Sequence, residues 1–159
     1  MMPEYRMSER KPLENFFPLL KGINMHEWAL AEGVISTALD VAEEENAEEL
    51  KRINIKIGSL QQVDMEIFRN ALDEISEGTL AEKSEKSIEI EGAILECRAC
   101  GNQWDFDDSL EDLDEAETES IHFVPDLAHT YIRCPDCGSP DFEIKKGRGV
   151  WLDSVELER

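Results

Sequence analysis

The chain has 159 residues, with 37 Asp and Glu against 16 Lys and Arg, a formal net charge of −21 and an isoelectric point near 4.4. With 41% hydrophobic residues it has the apolar material for a core, which excludes a disordered polyelectrolyte, and its length suits one domain or two small ones. Such a carboxylate excess repels phosphate backbones, so a basic protein face is the expected partner and nucleic acid is not, while the best apolar run, Phe16 to Leu20, is short and broken by Pro18, which argues against a membrane span or ordinary secretion.

Residues 1–24 carry a net charge of +1 and the remaining residues −22, so composition changes at Met25. From Glu27 onward Ala31, Val34, Ile35, Ala38, Leu39 and Ala42 recur at steps of three and four, which predicts an amphipathic helix ending near Asn46. Glu43, Glu44 and Glu45 then sit at the end of the helix dipole that disfavours anions, and an ordinary solvated helix end accounts for them. Between Arg52 and Gly58 the alternation of Ile53, Ile55 and Ile57 with Asn54 and Lys56 predicts a half-buried strand.

Asp64 is placed to cap a second helix, with Ile67, Phe68, Ala71, Leu72 and Ile75 on one face and Gly78 as its stop. Ile88, Ile90 and Ile94 mark another strand, expected to run through Leu95 into the first cysteine pair. Trp104 and Phe106 are read as the start of a hairpin. Of the 13 residues from Asp107 to Glu119, eight are acidic, a solvent-exposed insertion. After the second cysteine pair, Val150, Leu152, Val155 and Leu157 predict a final strand. The fold class expected is α+β: two helices packed on one face of a three-stranded mixed sheet, with a zinc-ribbon-like module inserted before the last strand. The boundaries read this way are 1–24 as an extension, 25–95 with 146–159 as the α+β domain, and 96–145 as the module.

The four cysteines form two CxxC pairs, Cys97 with Cys100 and Cys134 with Cys137. Two thiolate pairs on tight turns can fill the corners of a tetrahedron, which suits Zn²⁺, and a reducing compartment disfavours the alternative of two disulfides. Gly101 and Gly138 let each chain turn beneath its sulfurs, and Pro135 stiffens the second turn. The 33 residues between Cys100 and Cys134 exceed the ~15 to 20 usual in such modules, so an insertion separates the pairs. Phosphate-loop and dinucleotide-binding motifs are absent. Catalysis lacks parts: the histidines are His26, His122 and His129, and each thiol is better used on a metal than as a nucleophile.

Met25-His26-Glu27 directly precedes the first helical face, and there the sequence resembles a family. MHEWALAEGVISTAL (25–39), IKIGSLQQV (55–63), EGT (77–79), CRACG (97–101), CPDCGS (134–139) and GRGVWL (147–152) occur in the order and spacing of the HypA nickel metallochaperones of hydrogenase maturation. The resemblance implies a cytoplasmic factor, not an enzyme, that binds Ni(II) at Met25, His26 and Glu27, with His122 as a further candidate donor. It would carry Ni²⁺ as cargo and Zn²⁺ as a structural ion on Cys97, Cys100, Cys134 and Cys137. Its partners would be the GTPase HypB and the large subunit of a [NiFe]-hydrogenase.

The ligand chemistry agrees with nickel. A free amine on Met25, the amide nitrogen of His26 and its imidazole close successive chelate rings, and Ni(II) favours such planar nitrogen sets. If Met25 is internal, its nitrogen is an amide and the site loses its anchor. The working protein is therefore expected to begin at Met25; in the alternative, residues 1–24 fold over the site with Phe16, Phe17, Leu19 and Leu20 packing on the sheet or helices. His122 and His129 stand among apolar neighbours and read more readily as structural. Trp28 reads as packing, or as a shield for a neighbouring metal. Two competing functions stay open: an acidic zinc-ribbon adaptor without nickel, and a rubredoxin-like iron carrier.

Overall fold

The computed structural model describes residues 4–6 and 25–159, so the packing expected of Phe16, Phe17, Leu19 and Leu20 lies outside the described residues. Helix α1 spans Met25–Glu44, and its predicted face is buried, with Ala31, Val34 and Ala38 each 0% exposed. It ends as its sequence suggests. Asn46 takes φ 52°, the N–H of Ala47 bonds the Ala42 carbonyl at 2.9 Å, and that of Asn46 bonds Glu43 at 3.0 Å, the two bonds of a Schellman closure with Asn in place of the commoner Gly. The acidic end is partly compensated, because Arg159 donates to Glu45 at 2.6 Å.

Strand β2 (Glu49–Gly58) buries Ile53, Ile55 and Ile57 and leaves Arg52, Asn54 and Lys56 half-buried on the other side. Helix α2 (Met65–Ser76) is capped by Asp64, whose carboxylate accepts from the N–H groups of Glu66 and Ile67, each at 3.1 Å. The last strand of the chain (Val150–Glu158) pairs antiparallel with β2, and a register shift opposite Asn54 and Ile55 leaves Asp153 as an extra residue, so that Val150, Leu152, Val155 and Leu157 all reach the core.

Strand β3 (Glu85–Glu91) lies on the other side of β2. Ser84 reaches the Leu50 carbonyl and Arg52 pairs with Glu85 at 2.7 Å, contacts that advance together along both strands and make this pair parallel, as the intervening α2 crossover requires. The sheet is therefore mixed. Residues Glu4–Arg6 form β1, which adds a fourth strand antiparallel to the last one, Tyr5 facing Val155. The inner faces of α1, α2, β2 and the last strand share one apolar core centred on Ile35, Ile53, Ile55, Phe68 and Leu72.

The expected continuous strand from Ile88 through Leu95 is broken. β4 (Ile94–Cys97) belongs to a second sheet, antiparallel between β5 (Gln103–Asp105) and β6 (Phe142–Lys146). Contacts explain the break: Gly147 packs so close that a Cβ there would stand 2.5 Å from the Ala93 Cβ, and Ala93 gives its carbonyl to the Phe106 N–H at 3.0 Å. Trp104 is in β5, whereas Phe106 opens helix α3 (Phe106–Leu110) and is 1% exposed, so it anchors a helix rather than a hairpin.

The acidic stretch is helical as well. α3 is followed by α4 (Glu115–Phe123), a 3-10 turn at Pro125–Leu127, and α5 (Ala128–Tyr131), and the final strand is numbered β7. Asp114 and Glu117 form a reciprocal capping box, and Asp107, Asp108, Glu115 and Glu117 fall in first turns, where the helix dipole favours anions. By contacts the chain divides into two units, the first holding the described residues up to Ile57 with Val63–Glu89 and Gly149–Arg159, the second Gly58–Gln62 and Ile90–Arg148. Within the second unit a Cβ on Gly58 would lie 2.2 Å from the Gly147 backbone, so glycine is needed where these segments cross.

Candidate metal centres

The cysteine pairs are built twice to one pattern. Each first cysteine accepts through its carbonyl from the glycine after the second: Gly101 N–H to Cys97 and Gly138 N–H to Cys134, both at 2.9 Å. The N–H of Cys97 bonds the Asn102 carbonyl at 2.8 Å and that of Cys134 bonds the Ser139 carbonyl at 2.9 Å, while Gly101 and Gly138 take φ values of 77° and 75°. These are left-handed positions that a side chain would strain. In each pair the first sulfur belongs to a buried residue and the second to an exposed one.

The four sulfurs lie within 4.8 Å of one another as free thiols. Cys97 faces Cys137 at 3.5 Å and Cys100 faces Cys134 at 3.6 Å. A disulfide needs roughly 2.05 Å. A tetrahedral ion with bonds of about 2.3 Å has sulfur–sulfur edges of roughly 3.8 Å, close to what the two turns present. The donor set and spacing therefore fit Zn²⁺. Electrostatics favour a thiolate at the cluster: burial pushes the Cys134 thiol up, but the N–H groups of Cys137 and Asp136 and the neighbouring thiols outweigh it and bring it down to about 6. For Cys100 the Asn102 backbone N–H favours the thiolate, yet burial and the other three sulfurs prevail and push it up to about 12. Without a cation, these sulfurs resist carrying several negative charges together.

Met25, His26 and Glu27 form the first turn of α1. His26 is exposed, and Trp28 is 37% exposed, with most of its ring surface covered. Glu27 is turned inward at 6% exposure. One carboxylate oxygen accepts the Asp64 N–H at 3.1 Å; the other is buried with no hydrogen-bond partner among the described residues. Leaving such an oxygen unmet costs about 1–3 kcal/mol. This link between the starts of α1 and α2 was missed in the sequence, where Asp64 carried only the signal of a helix cap and the two residues stand far apart.

His122 lies on α4, and its side chain is outside what the structure describes. His129 is held by packing: its ring stacks on Phe142 with centroids 4.3 Å apart, and Nδ1 faces the Pro140 carbonyl at 3.0 Å. Among the described residues, the cysteine cluster is the sole group of three or more Cys, His, Asp and Glu side chains close enough to hold one ion. No helix among the described residues is long and apolar enough to cross a membrane.

Comparison with known proteins places these features in context. Residues 25–157 match the family described as hydrogenase/urease nickel incorporation, metallochaperone, hypA. The hydrogenase maturation factor HypA of Thermococcus sibiricus is 45% identical over 134 residues, covering 84% of this chain and 97% of that protein. The factor of the same name from Pyrococcus abyssi is 44% identical over 135 residues, covering 85% and 97%. Among solved structures, that of the Ni metallochaperone HypA from Helicobacter pylori superposes with a TM-score of 0.56 at 20% identity, covering 83% of this chain and 97% of that one, a likeness of fold.

Proposed function

Because the chain belongs to the HypA family of nickel metallochaperones in hydrogenase maturation, we propose that it binds Ni(II) through Met25, His26 and Glu27 and hands it to the large subunit of a [NiFe]-hydrogenase together with the GTPase HypB. The observation that carries this reading is the Glu27 carboxylate, buried with one oxygen unmet one residue from an exposed imidazole. The Asp64 N–H on the other oxygen fixes the Glu27 carboxylate at the start of α1, next in sequence to His26. The four-cysteine centre takes Zn²⁺ as a structural ion, and the protein acts in the cytoplasm as a carrier rather than an enzyme.

The two metals are sorted by chemistry. Soft thiolates in a tetrahedron suit Zn²⁺, whereas amine, amide and imidazole nitrogens in a plane suit Ni(II). The planar set needs a free amine on Met25, so on this reading the working chain begins there; the composition break and a family match that starts at residue 25 support it, whereas the pairing of β1 with the last strand stands against it. Nickel titration by calorimetry tests this. H26A should lose at least tenfold in affinity, and identical binding by wild type and H26A overturns the reading. The 135-residue form should bind more tightly than the 159-residue form, and equal affinity would show that the amine is not a ligand. The same titration of H122A tests the further donor that the resemblance implies.

A further inference from the structure

The helical insertion between the cysteine pairs carries apolar side chains that it does not bury. Phe123 is 66% exposed, Val124 48%, and Leu127 and Tyr131 37% each, although neighbouring Ile121 and Ala128 are at most 1% exposed and already fill the core of the unit. Phe123 ends α4, Leu127 ends the 3-10 turn and Tyr131 ends α5, so each exposed side chain stands at the end of a short element. Tyr131 also lines a cleft of about 390 Å³ whose other walls include Trp104, Leu113, Asp108 and Asp112. That volume lies in the range of side-chain and small-ligand pockets. Trp104 is fixed within it, since its indole N–H donates to Ser109 at 2.8 Å.

We infer that this cleft and the exposed apolar side chains of the same insertion dock a basic amphipathic segment of a partner protein, its Lys or Arg side chains entering between Trp104, Tyr131 and the two aspartates and its apolar side covering Phe123 and Leu127. Charge complementarity selects this occupant. The surrounding segment from Asp107 to Glu119 carries eight acidic residues and no Lys or Arg, against which Arg133 is the cation lining the cleft. A second copy of a chain with net charge −21 would bring like charges together at the same rim, and an anionic lipid surface would be repelled by it. Aromatic faces beside carboxylates attract a cationic side chain through both charge and the ring quadrupole. The inference stands apart from nickel binding, because all of its residues lie in the second unit.

The test uses the zinc-loaded full chain and, as probe, a short helical peptide with one leucine face and one lysine face. Amide shifts on titration should cluster on Trp104, Asp108, Asp112, Leu127 and Tyr131. Y131A and L127S should each weaken binding about tenfold, the loss of one interfacial anchor. D108N/D112N should weaken it and flatten its salt dependence, while E43Q/E44Q, which removes the same charge from the end of α1, should change it less than twofold. The substituted side chains are exposed or half-exposed, and unchanged zinc content reports an intact fold for each variant. Equal weakening by both charge-removing pairs, or wild-type binding by Y131A and L127S, overturns the inference. So does concentration-dependent dimerisation abolished by F123S, which would assign these apolar side chains to a second copy, or binding to neutral phosphatidylcholine vesicles abolished by F123S, which would assign them to a lipid surface.

Discussion

The two contact units solve the problem of folding with different means. In the first, α1 and α2 lay full apolar faces over a mixed sheet, and the core runs from Leu30 to Leu157 with large side chains such as Phe68 and Ile53 at 0% exposure. In the second, a three-stranded sheet and several short helices enclose a smaller cluster around Leu95, Phe106 and Phe142, and the cysteine turns carry no apolar payload of their own. A small unit buries too little surface to offset its chain entropy easily, and an ion on the four cysteines would substitute for missing core. Such an ion would be a folding element in the unit that holds all four cysteines, and the other unit supplies none of its ligands.

This contrast can be broken from either side. The largest effect expected is from C134S, or from any of the other three cysteine substitutions. Structural zinc contributes an apparent ~10–16 kcal/mol in small modules, so zinc content should fall from one per chain to none, and amide dispersion should collapse for residues 94–146 while persisting for α1, α2, β2 and β7. Dispersion unchanged in the zinc-free variant would show that the second unit folds on its apolar cluster alone. F68A is the converse. Phe68 is 0% exposed in the larger core, and its truncation should cost about 3–5 kcal/mol in chemical denaturation while zinc stays bound. Zinc loss in step with unfolding of the first unit would mean that the two are not separable.

Acid should also discriminate between the units. The Cys134 thiol is lowered to about 6 against an ordinary 9.0, so the stabilisation it contributes is present above the ordinary value and is lost as pH falls through about 6. Protonation competes with metal in the same direction. Zinc release, followed with a chromogenic chelator, should therefore rise as the medium is acidified, with the helical signal of α1 and α2 outlasting it. Retention of zinc well into the range where carboxylates protonate would contradict this order. The smallest effect is expected from D114A, which removes the capping box of α4 and should cost about 1 kcal/mol within the second unit, measured on the zinc-loaded protein.

Periodicity made most of the first unit legible. Ile53, Ile55 and Ile57 alternate because one side of β2 is solvated, and Ala31, Val34 and Ala38 recur at helical steps because α1 buries one face. The second unit was harder. Phe106 follows Trp104 at strand spacing, yet it begins a helix, because the Ala93 carbonyl takes its N–H and the chain turns there. The run from Ile88 to Leu95 has the composition of one strand. What divides it is the approach of Gly147 to Ala93, a contact between segments more than fifty positions apart. The acidic stretch hid its helices, since the same carboxylates serve as surface, caps and first-turn charges.

The sequence by itself determined the local chemistry: which residues could hold a metal, where α1 and α2 run, and which of their faces are apolar, since capping, periodicity and CxxC turns depend on neighbours within a few positions. Tertiary structure alone decided which of these features meet. It brought the two cysteine pairs together at 3.5 and 3.6 Å, gave one Glu27 oxygen to Asp64 while leaving the other unmet among the described residues, and left Phe123 and Tyr131 uncovered. Distant segments meet through packing of the whole chain, and no short-range signal records the donor that a buried oxygen lacks or the neighbour that an exposed ring awaits.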